Sequence, residues 1–191
     1  MGKYVTAPEA VKVVQSNDRV YIHAAGATPN VLTKALTERA SELRNVEICH
    51  LHTEGPAPYA NHDLAESFHV NSFFIAKNVR HTLTAGNGSY TPVFLSELPR
   101  LFRKKVVPLD VVFIHVSPPD NHGYCSLGVS VEATVAAIES AKTVIAQVNP
   151  NMPRTFGDGI LHVSEIDFLV DVDCPIHEKE EEAITPLEAK I

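Results

Sequence analysis

Positive charge is scarce in this sequence. Sixteen Lys and Arg face 23 Asp and Glu, a formal net charge of −7. The one basic run, Arg100, Arg103, Lys104 and Lys105, is too small to neutralise a phosphate backbone, so no nucleic-acid partner is expected. Cysteine is scarce too: Cys49, Cys125 and Cys174 are far apart, odd in number and without metal-ligand spacing. That usage argues against a disulfide framework and for a reducing cytoplasm. No apolar run approaches the ~18 residues of a membrane span, and no apolar signal region opens the chain, so no membrane partner is expected. Met1-Gly2 with Thr6 meets only a loose myristoylation pattern and is read as chance.

Several catalytic signatures are missing as well. Gly26 stands alone after its strand, without a G-x-G-x-x-G fingerprint, and Gly86–Pro92 (GNGSYTP) is not followed by the Lys and Ser/Thr of a P-loop. A nucleoside triphosphate site is therefore excluded. There is no G-x-S-x-G elbow for a serine nucleophile. Of ten histidines, His50 and His52 share one face of a strand but have no third ligand nearby. They read as structural or surface residues, while His23 and His115, inside apolar strands, read as core histidines satisfied by hydrogen bonds.

What is present is the pattern of one α/β domain. Hydrophobic residues make up 45% and charged residues 20% of 191 positions, and a domain of that length buries roughly 70% of its unfolded surface. Thr6 and Glu9 fit a capping box that opens a short helix through Val11, Val13 and Val14. Arg19–Ala24 predicts a strand; Thr28 as N-cap and Pro29 as N1 then predict a helix with Leu32, Leu36, Ala40 and Leu43 on one stripe. Asn45 ends it, and Val46–Leu51 is the next strand, completing a βαβ unit. Val70–Ala76 predicts a short buried strand, and Gly86–Pro92 a loop leading to a helical turn near Val93, Phe94 and Leu98.

Leu109–Val116, nearly continuous in apolar residues, predicts a central parallel strand covered on both faces. Val131, Val135, Ile138 and Ala141 form a helical stripe; Thr143–Val148, Ile160–Val163 and Ile166–Val172 are further strands. The expected fold is α/β, a mostly parallel sheet flanked by helices. Residues 1–174 form the domain, and the charged, aromatic-poor 175–191 reads as an acidic linker toward a domain not included in the chain.

In such folds ligands sit at the carboxyl ends of strands, which makes the loop after Val116 a candidate site. Gly26, with no Cβ, admits a carbonyl or phosphate to the backbone and the following helix; a plain β-to-α turn is the other reading. The amides near Asn87, Gly88 and Ser89 suit an anion. Ser117, Pro118, Asp120 and His122 form a rigid polar turn, either a site or a tight surface turn. Glu54 is a carboxylate at a strand end, available as nucleophile or base but equally an ordinary solvated Glu. Cys125 and His122 have the right types for a catalytic pair, three residues apart on one turn, which supports it poorly. No complete catalytic set emerges.

One ordered string carries a resemblance. It runs Leu109-Asp110, Ser117-Pro118-Pro119-Asp120, His122-Gly123-Tyr124-Cys125-Ser126-Leu127-Gly128, Ala141-Lys142, Ala146-Gln147-Val148-Asn149, Met152-Pro153-Arg154-Thr155, Gly157-Asp158, His162-Val163-Ser164 and Ile166-Asp167. Over about Arg19 to Asp173 it resembles the acetyl-CoA hydrolase/transferase family, and within it the 4-hydroxybutyrate coenzyme A transferases. The resemblance implies one half of a two-domain enzyme, with the active site between the halves and a coenzyme A thioester as substrate rather than permanent cofactor. It implies ping-pong transfer of CoA to a small carboxylate through an active-site glutamate, and a homo-oligomer.

The family's nucleophilic glutamate belongs to a second half, so none is assigned here. His52-Thr53-Glu54-Gly55 looks like the motif around that glutamate, and Glu54 is read as its non-catalytic counterpart. Gly26, Ala27, Pro29, Asn87, Gly88, Ser89, Ser117, Pro118, Asp120 and His122 are the expected substrate-binding residues. An acetyl-CoA hydrolase and a non-catalytic ligand-binding module are the alternatives.

Overall fold

Short runs of Val, Ile and aromatic residues, each stopped by a turn, build the central layer. The computed structural model describes residues 2–178, 183–185 and 187–191. Residues 179–182 and Pro186, part of the expected linker, lie outside the described residues. The strands are β1 (Lys3–Tyr4), β2 (Arg19–Ile22), β3 (Val46–His50), β4 (Phe68–Ser72), β5 (Gly88–Tyr90), β6 (Val111–Val116), β7 (Tyr124–Ser126), β8 (Thr143–Val148), β9 (Ile160–His162) and β10 (Phe168–Asp171). The α-helices are α1 (Ala7–Ala10), α2 (Asn30–Thr37), α3 (Thr82–Ala85), α4 (Leu98–Arg103) and α5 (Thr134–Ser140).

The fold is α/β. Eight strands form one parallel sheet in the order β1-β10-β8-β6-β2-β3-β4-β5. The two remaining strands, β7 and β9, make a small antiparallel pair. Side chains alternate across the sheet and so build two cores. Ile22, Ile48, Phe113 and Ile145 pack with Leu32 and Leu36 of α2 on one face. Tyr21, Val112, Ile114 and Ala146 pack with Phe102 of α4 and Ala137 of α5 on the other. All six residues of β6 are buried, as its apolar run predicts for a central strand. Among the described residues no helix is long and apolar enough to cross a membrane.

The structure departs from the sequence pattern at identifiable places. Thr28 does not cap α2; its hydroxyl donates to Ala25 O at 2.7 Å and accepts from Glu54 N at 3.0 Å, and Pro29 takes the N-cap position. The helix stops at Thr37, and a 3-10 turn over Ala40–Glu42 carries the stripe on to Leu43. The strand expected at Val70–Ala76 sits at Phe68–Ser72, with half-buried His69 and Asn71 interrupting its apolar positions. Gly86–Pro92 is not all loop, because Gly88–Tyr90 pairs with β4. Two-residue β1 and three-residue β7 are too short to leave a period in the sequence, whereas β9 falls within the strand expected at Ile160–Val163.

Candidate functional site at the carboxyl edge of the sheet

The chain runs from β2 through β3 and β4 to β5 on one side, then returns to β6, β8 and β10 on the other. Neighbouring β2 and β6 therefore send their following loops apart, which opens a crevice at the carboxyl edge. Ala25 sits there at φ +51°, a conformation that L residues adopt only under tertiary constraint. The constraint is visible: Ala25 N donates to His52 O at 2.9 Å, and Ala25 pairs with Thr53 in an isolated parallel bridge. With the Thr28–Glu54 bond this locks the loops after β2 and β3 together. Ala27 and Pro29 are buried within that lock rather than presented to the crevice.

Polar side chains fill the floor. His23 Nε2 donates to Ser130 O at 2.7 Å, and its Nδ1 accepts from His115 N at 3.2 Å; burial lowers the pKa of this fully enclosed ring. Gln147 Oε1 accepts from Val31 N at the start of α2, 3.1 Å, so its Nε2 is the amide donor reaching His115 Nε2 at 3.2 Å. Asn149 Nδ2 approaches the same His115 nitrogen at 3.1 Å and also donates to Cys174 O at 2.8 Å. Two donors on Nε2 place the His115 proton on Nδ1, which has no partner among the described residues. Burial, assisted by the neighbouring His23, pushes the His115 imidazole down to about 4.

Over this floor passes the strap Cys174–His177. His177 Nε2 meets Asn30 Nδ2 at 2.7 Å, and a Cβ on Gly26 would lie 3.2 Å from His177 O and 3.3 Å from Val129 Cγ2. The bare Gly26 backbone is what lets the strap come this close. Pro175–His177 of the strap belong to the stretch read as linker, yet His177 is docked on the domain. Between it and the floor lies a cavity of about 580 Å³ walled by Gly26, Val31, Lys34, His115, Gln147 and Pro175, among others.

The sequence of this scaffold has known counterparts. Residues 1–181 match the acetyl-CoA hydrolase/transferase N-terminal domain. The chain belongs to that family. It is 40% identical over 185 residues to the "Succinyl-CoA:acetate/propanoyl-CoA:succinate CoA transferase" of Fasciola hepatica, covering 96% of this chain and 38% of the relative. It is 42% identical over 177 residues to the "4-hydroxybutyrate coenzyme A transferase" of Clostridium kluyveri, covering 92% and 41%. The crystal structure of RipA from Yersinia pestis superposes with a TM-score of 0.91 at 28% identity, covering 96% of this chain and 45% of that one. The chain thus spans about two fifths of the length of the curated relatives it matches.

Within this acetyl-CoA hydrolase/transferase domain, the expected site residues fall in three separate places. Gly26 lines the cavity, with Ala27 and Pro29 behind it. Asn87, Gly88 and Ser89 belong to the β5 edge: Asn87 Nδ2 donates to Ala60 O at 3.3 Å, Gly88 pairs with Val70, and Ser89 Oγ meets His69 Nε2 at 3.0 Å. Ser117, Pro118, Asp120 and His122 form a pinned turn. There Ser117 Oγ accepts from Ser126 N at 3.0 Å, and Asp120 accepts from the His122 and Tyr124 amides at 2.9 Å each. Arg154 Nη2 completes the hold on Asp120 at 2.8 Å, and these bonds, the Tyr124 amide foremost, keep its carboxyl below the usual range.

Glu54 is exposed and borders a different hollow of about 450 Å³ with Thr53, Lys77 and Asn78. Cys125 is buried in β7, where desolvation lifts its thiol to about 11, away from any nucleophilic role at neutral pH. Cys49 is buried as well, whereas Cys174 in the strap is partly open. Iodoacetamide at pH 8 is expected to modify Cys174 first, and Cys49 and Cys125 only on unfolding; peptide mapping checks the order. Among the described residues no three His, Cys, Asp or Glu side chains are placed to hold a metal ion.

One feature escaped the sequence pattern. Leu51, His52, Phe73, Phe74, Val93 and Phe94 help line an open apolar groove of about 680 Å³, with Phe74 62% and Phe94 77% exposed. The available signal was Phe73-Phe74, read as part of a buried strand, and Val93-Phe94, read as a helical turn.

Proposed function

We propose that this chain works as the N-terminal half of a coenzyme A transferase and supplies one wall of the pocket for the acyl group or carboxylate. The observation that carries the reading is the carboxyl-edge crevice of a family domain that offers donors and apolar wall but, among the described residues, no nucleophile–base pair. The reaction suited to such a wall moves CoA from an acyl-CoA to a carboxylate acceptor by a ping-pong route. A glutamate of a second half attacks the thioester, giving an acyl-glutamyl anhydride and CoA thiolate. The thiolate returns on the glutamyl carbonyl, releasing the first carboxylate and leaving a glutamyl-CoA thioester. The acceptor carboxylate reverses both steps.

In this scheme the present domain orients the carboxylate and keeps water from the anhydride and thioester, work for which a rigid, loop-locked edge is suited. Glu54 stays a non-catalytic counterpart. The exposed Phe74–Phe94 groove fits a surface covered in the whole enzyme, and the unpaired cysteines fit a cytoplasmic homo-oligomer.

The test is an assay of a protein comprising this chain and a second half, supplied with acetyl-, butyryl- or 4-hydroxybutyryl-CoA, with and without an acceptor carboxylate. Acceptor-dependent exchange is expected. CoA release at the same rate without acceptor would replace transferase by hydrolase. The 191-residue chain alone is expected to show no exchange. Turnover that disappears in Glu54→Gln would move the catalytic step into this domain.

A further inference from the structure

The strap Cys174–His177 is held firmly at one end and by a single polar contact at the other. Val172 N donates to Val148 O at 2.9 Å, the last backbone bond between β10 and β8. Asn151 Nδ2 then donates to Asp173 Oδ1 at 2.9 Å, and Cys174 O accepts from Asn149 Nδ2 at 2.8 Å and Asn151 Nδ2 at 3.1 Å. Beyond Cys174 these ties stop. Among the described residues, no backbone hydrogen bond holds Pro175, Ile176 or His177, and their one side-chain tie is His177 Nε2 against Asn30 Nδ2 at 2.7 Å. A segment with so few hydrogen bonds opens at the low end of a domain's local stabilities.

The closed position is nonetheless a built seat. A Cβ on Gly26 would lie 3.2 Å from His177 O, and one on Gly55 would lie 3.0 Å from His177 Nε2 and from both Asn30 amide atoms. Two loops thus carry glycine where the strap comes down. Beneath it Cys174 Sγ accepts from Asn149 Nδ2 at 3.4 Å, so the thiol points at the floor, while Pro175 and His177 wall the 580 Å³ cavity. The latching contact also stands on a boundary. Gly55 borders the 450 Å³ hollow of Glu54, whereas Pro56, Asn30 and His177 border the cavity.

We propose that Pro175–His177 is a lid, hinged at Asp173–Cys174 and latched by the His177–Asn30 contact, whose opening uncovers the cavity and joins it to the hollow beside Glu54. Breaking the latch frees three residues and leaves the hinge in place, so opening needs no unfolding of the sheet. The lid belongs to this chain and does not depend on the reaction proposed above.

Cys174 reports the opening, because its thiol lies under the strap while Cys49 and Cys125 are buried in strands. Fluorescein maleimide, too bulky for a thiol turned toward the floor, labels Cys174 through the open lid; peptide mapping follows the rate at pH 7. Asn30→Ala and His177→Ala each remove the latch and are expected to speed this labelling about fivefold. The double variant is expected to be no faster than either single one, since both remove the same contact. In ¹⁵N spectra of Asn30→Ala, the order parameters of Ile176 and His177 are expected to fall and the Gly26 and Gly55 amides to shift, with Ala25 and Thr53 staying rigid. The proposal is overturned if either single variant labels at the wild-type rate, or if the two effects multiply in the double variant. It is equally overturned if the order parameters do not fall, if the Gly55 amide does not shift, or if Cys49 and Cys125 are labelled in step with Cys174.

Discussion

Gly88→Ala is expected to destabilise the domain by roughly 2–4 kcal/mol, lowering the thermal midpoint on the order of 10 °C. A Cβ at this position would stand 2.1 Å from Thr82 Oγ1, 2.6 Å from Thr82 Cβ and 3.1 Å from the Thr82 carbonyl carbon. Thr82 cannot turn aside: its side chain is 1% exposed and its hydroxyl donates to Val79 O at 2.8 Å. Relief requires α3 to move off β5, which separates the last strand of the sheet from its cover.

Thr82→Ala in the same background removes the hydroxyl but keeps the Cβ, so it recovers only part of the loss. Urea unfolding distinguishes this packing role from the anion cradle suggested by the glycine-rich sequence. Packing predicts a lower midpoint with the slope unchanged. A cradle predicts an unchanged midpoint, and that result would falsify the packing assignment.

Gly88 also marks where sequence reading reaches its limit. A glycine-rich loop that cradles an anion and a glycine forced by a neighbouring threonine look the same in one dimension. The threonine lies six residues upstream on a helix of four residues, too short to declare itself by period. Longer elements were legible for a physical reason: α2, β6 and β8 carry a repeated apolar choice that only one secondary structure can bury. The crevice was legible as well, because parallel strands put their following loops at one edge, and Gly26 was found that way.

Its contents were not legible. His115 and Gln147 are brought together by the register of two neighbouring strands, with Asn149 just past the end of β8 and Cys174 in the strap. The Ser117–His122 turn misled in the other direction. Its polar residues suggested chemistry, yet Asp120 accepts from the His122 and Tyr124 amides and Ser117 from the Ser126 amide. Thr28 failed as a cap for a related reason, since the Glu54 amide, 26 positions away, competes for its oxygen.

Acidification from pH 7 to pH 4.5 is expected to remove a large part of the domain's stability, through two histidines held neutral by burial. His50 is fully buried beside Tyr59, with neither ring nitrogen partnered among the described residues, and desolvation pushes its imidazole down to about 4. His115 is held at about 4 by burial and the nearby His23. In the unfolded chain both titrate near 6.5. Between about 6.5 and about 4 the unfolded state therefore binds at least two protons that the native state refuses, and the enclosed His23 acts in the same direction.

Stability rises with pH wherever the unfolded chain holds more protons. The contribution is complete above about pH 6.5 and is lost as the pH falls toward 4. Each shift corresponds to something on the order of 3 kcal/mol, and the pair is comparable to much of a domain's usual net stability. Urea midpoints measured at intervals from pH 7 to pH 4.5 read the slope directly. His50→Leu, which removes two unpaired buried nitrogens, is expected to flatten it by about one proton and to raise the midpoint most at low pH. His115→Gln, which keeps an acceptor for the Gln147 and Asn149 amides, is expected to remove the second proton. A midpoint independent of pH between 7 and 5, or variants that keep the full slope, would mean that these rings are hydrated or protonated in the native fold.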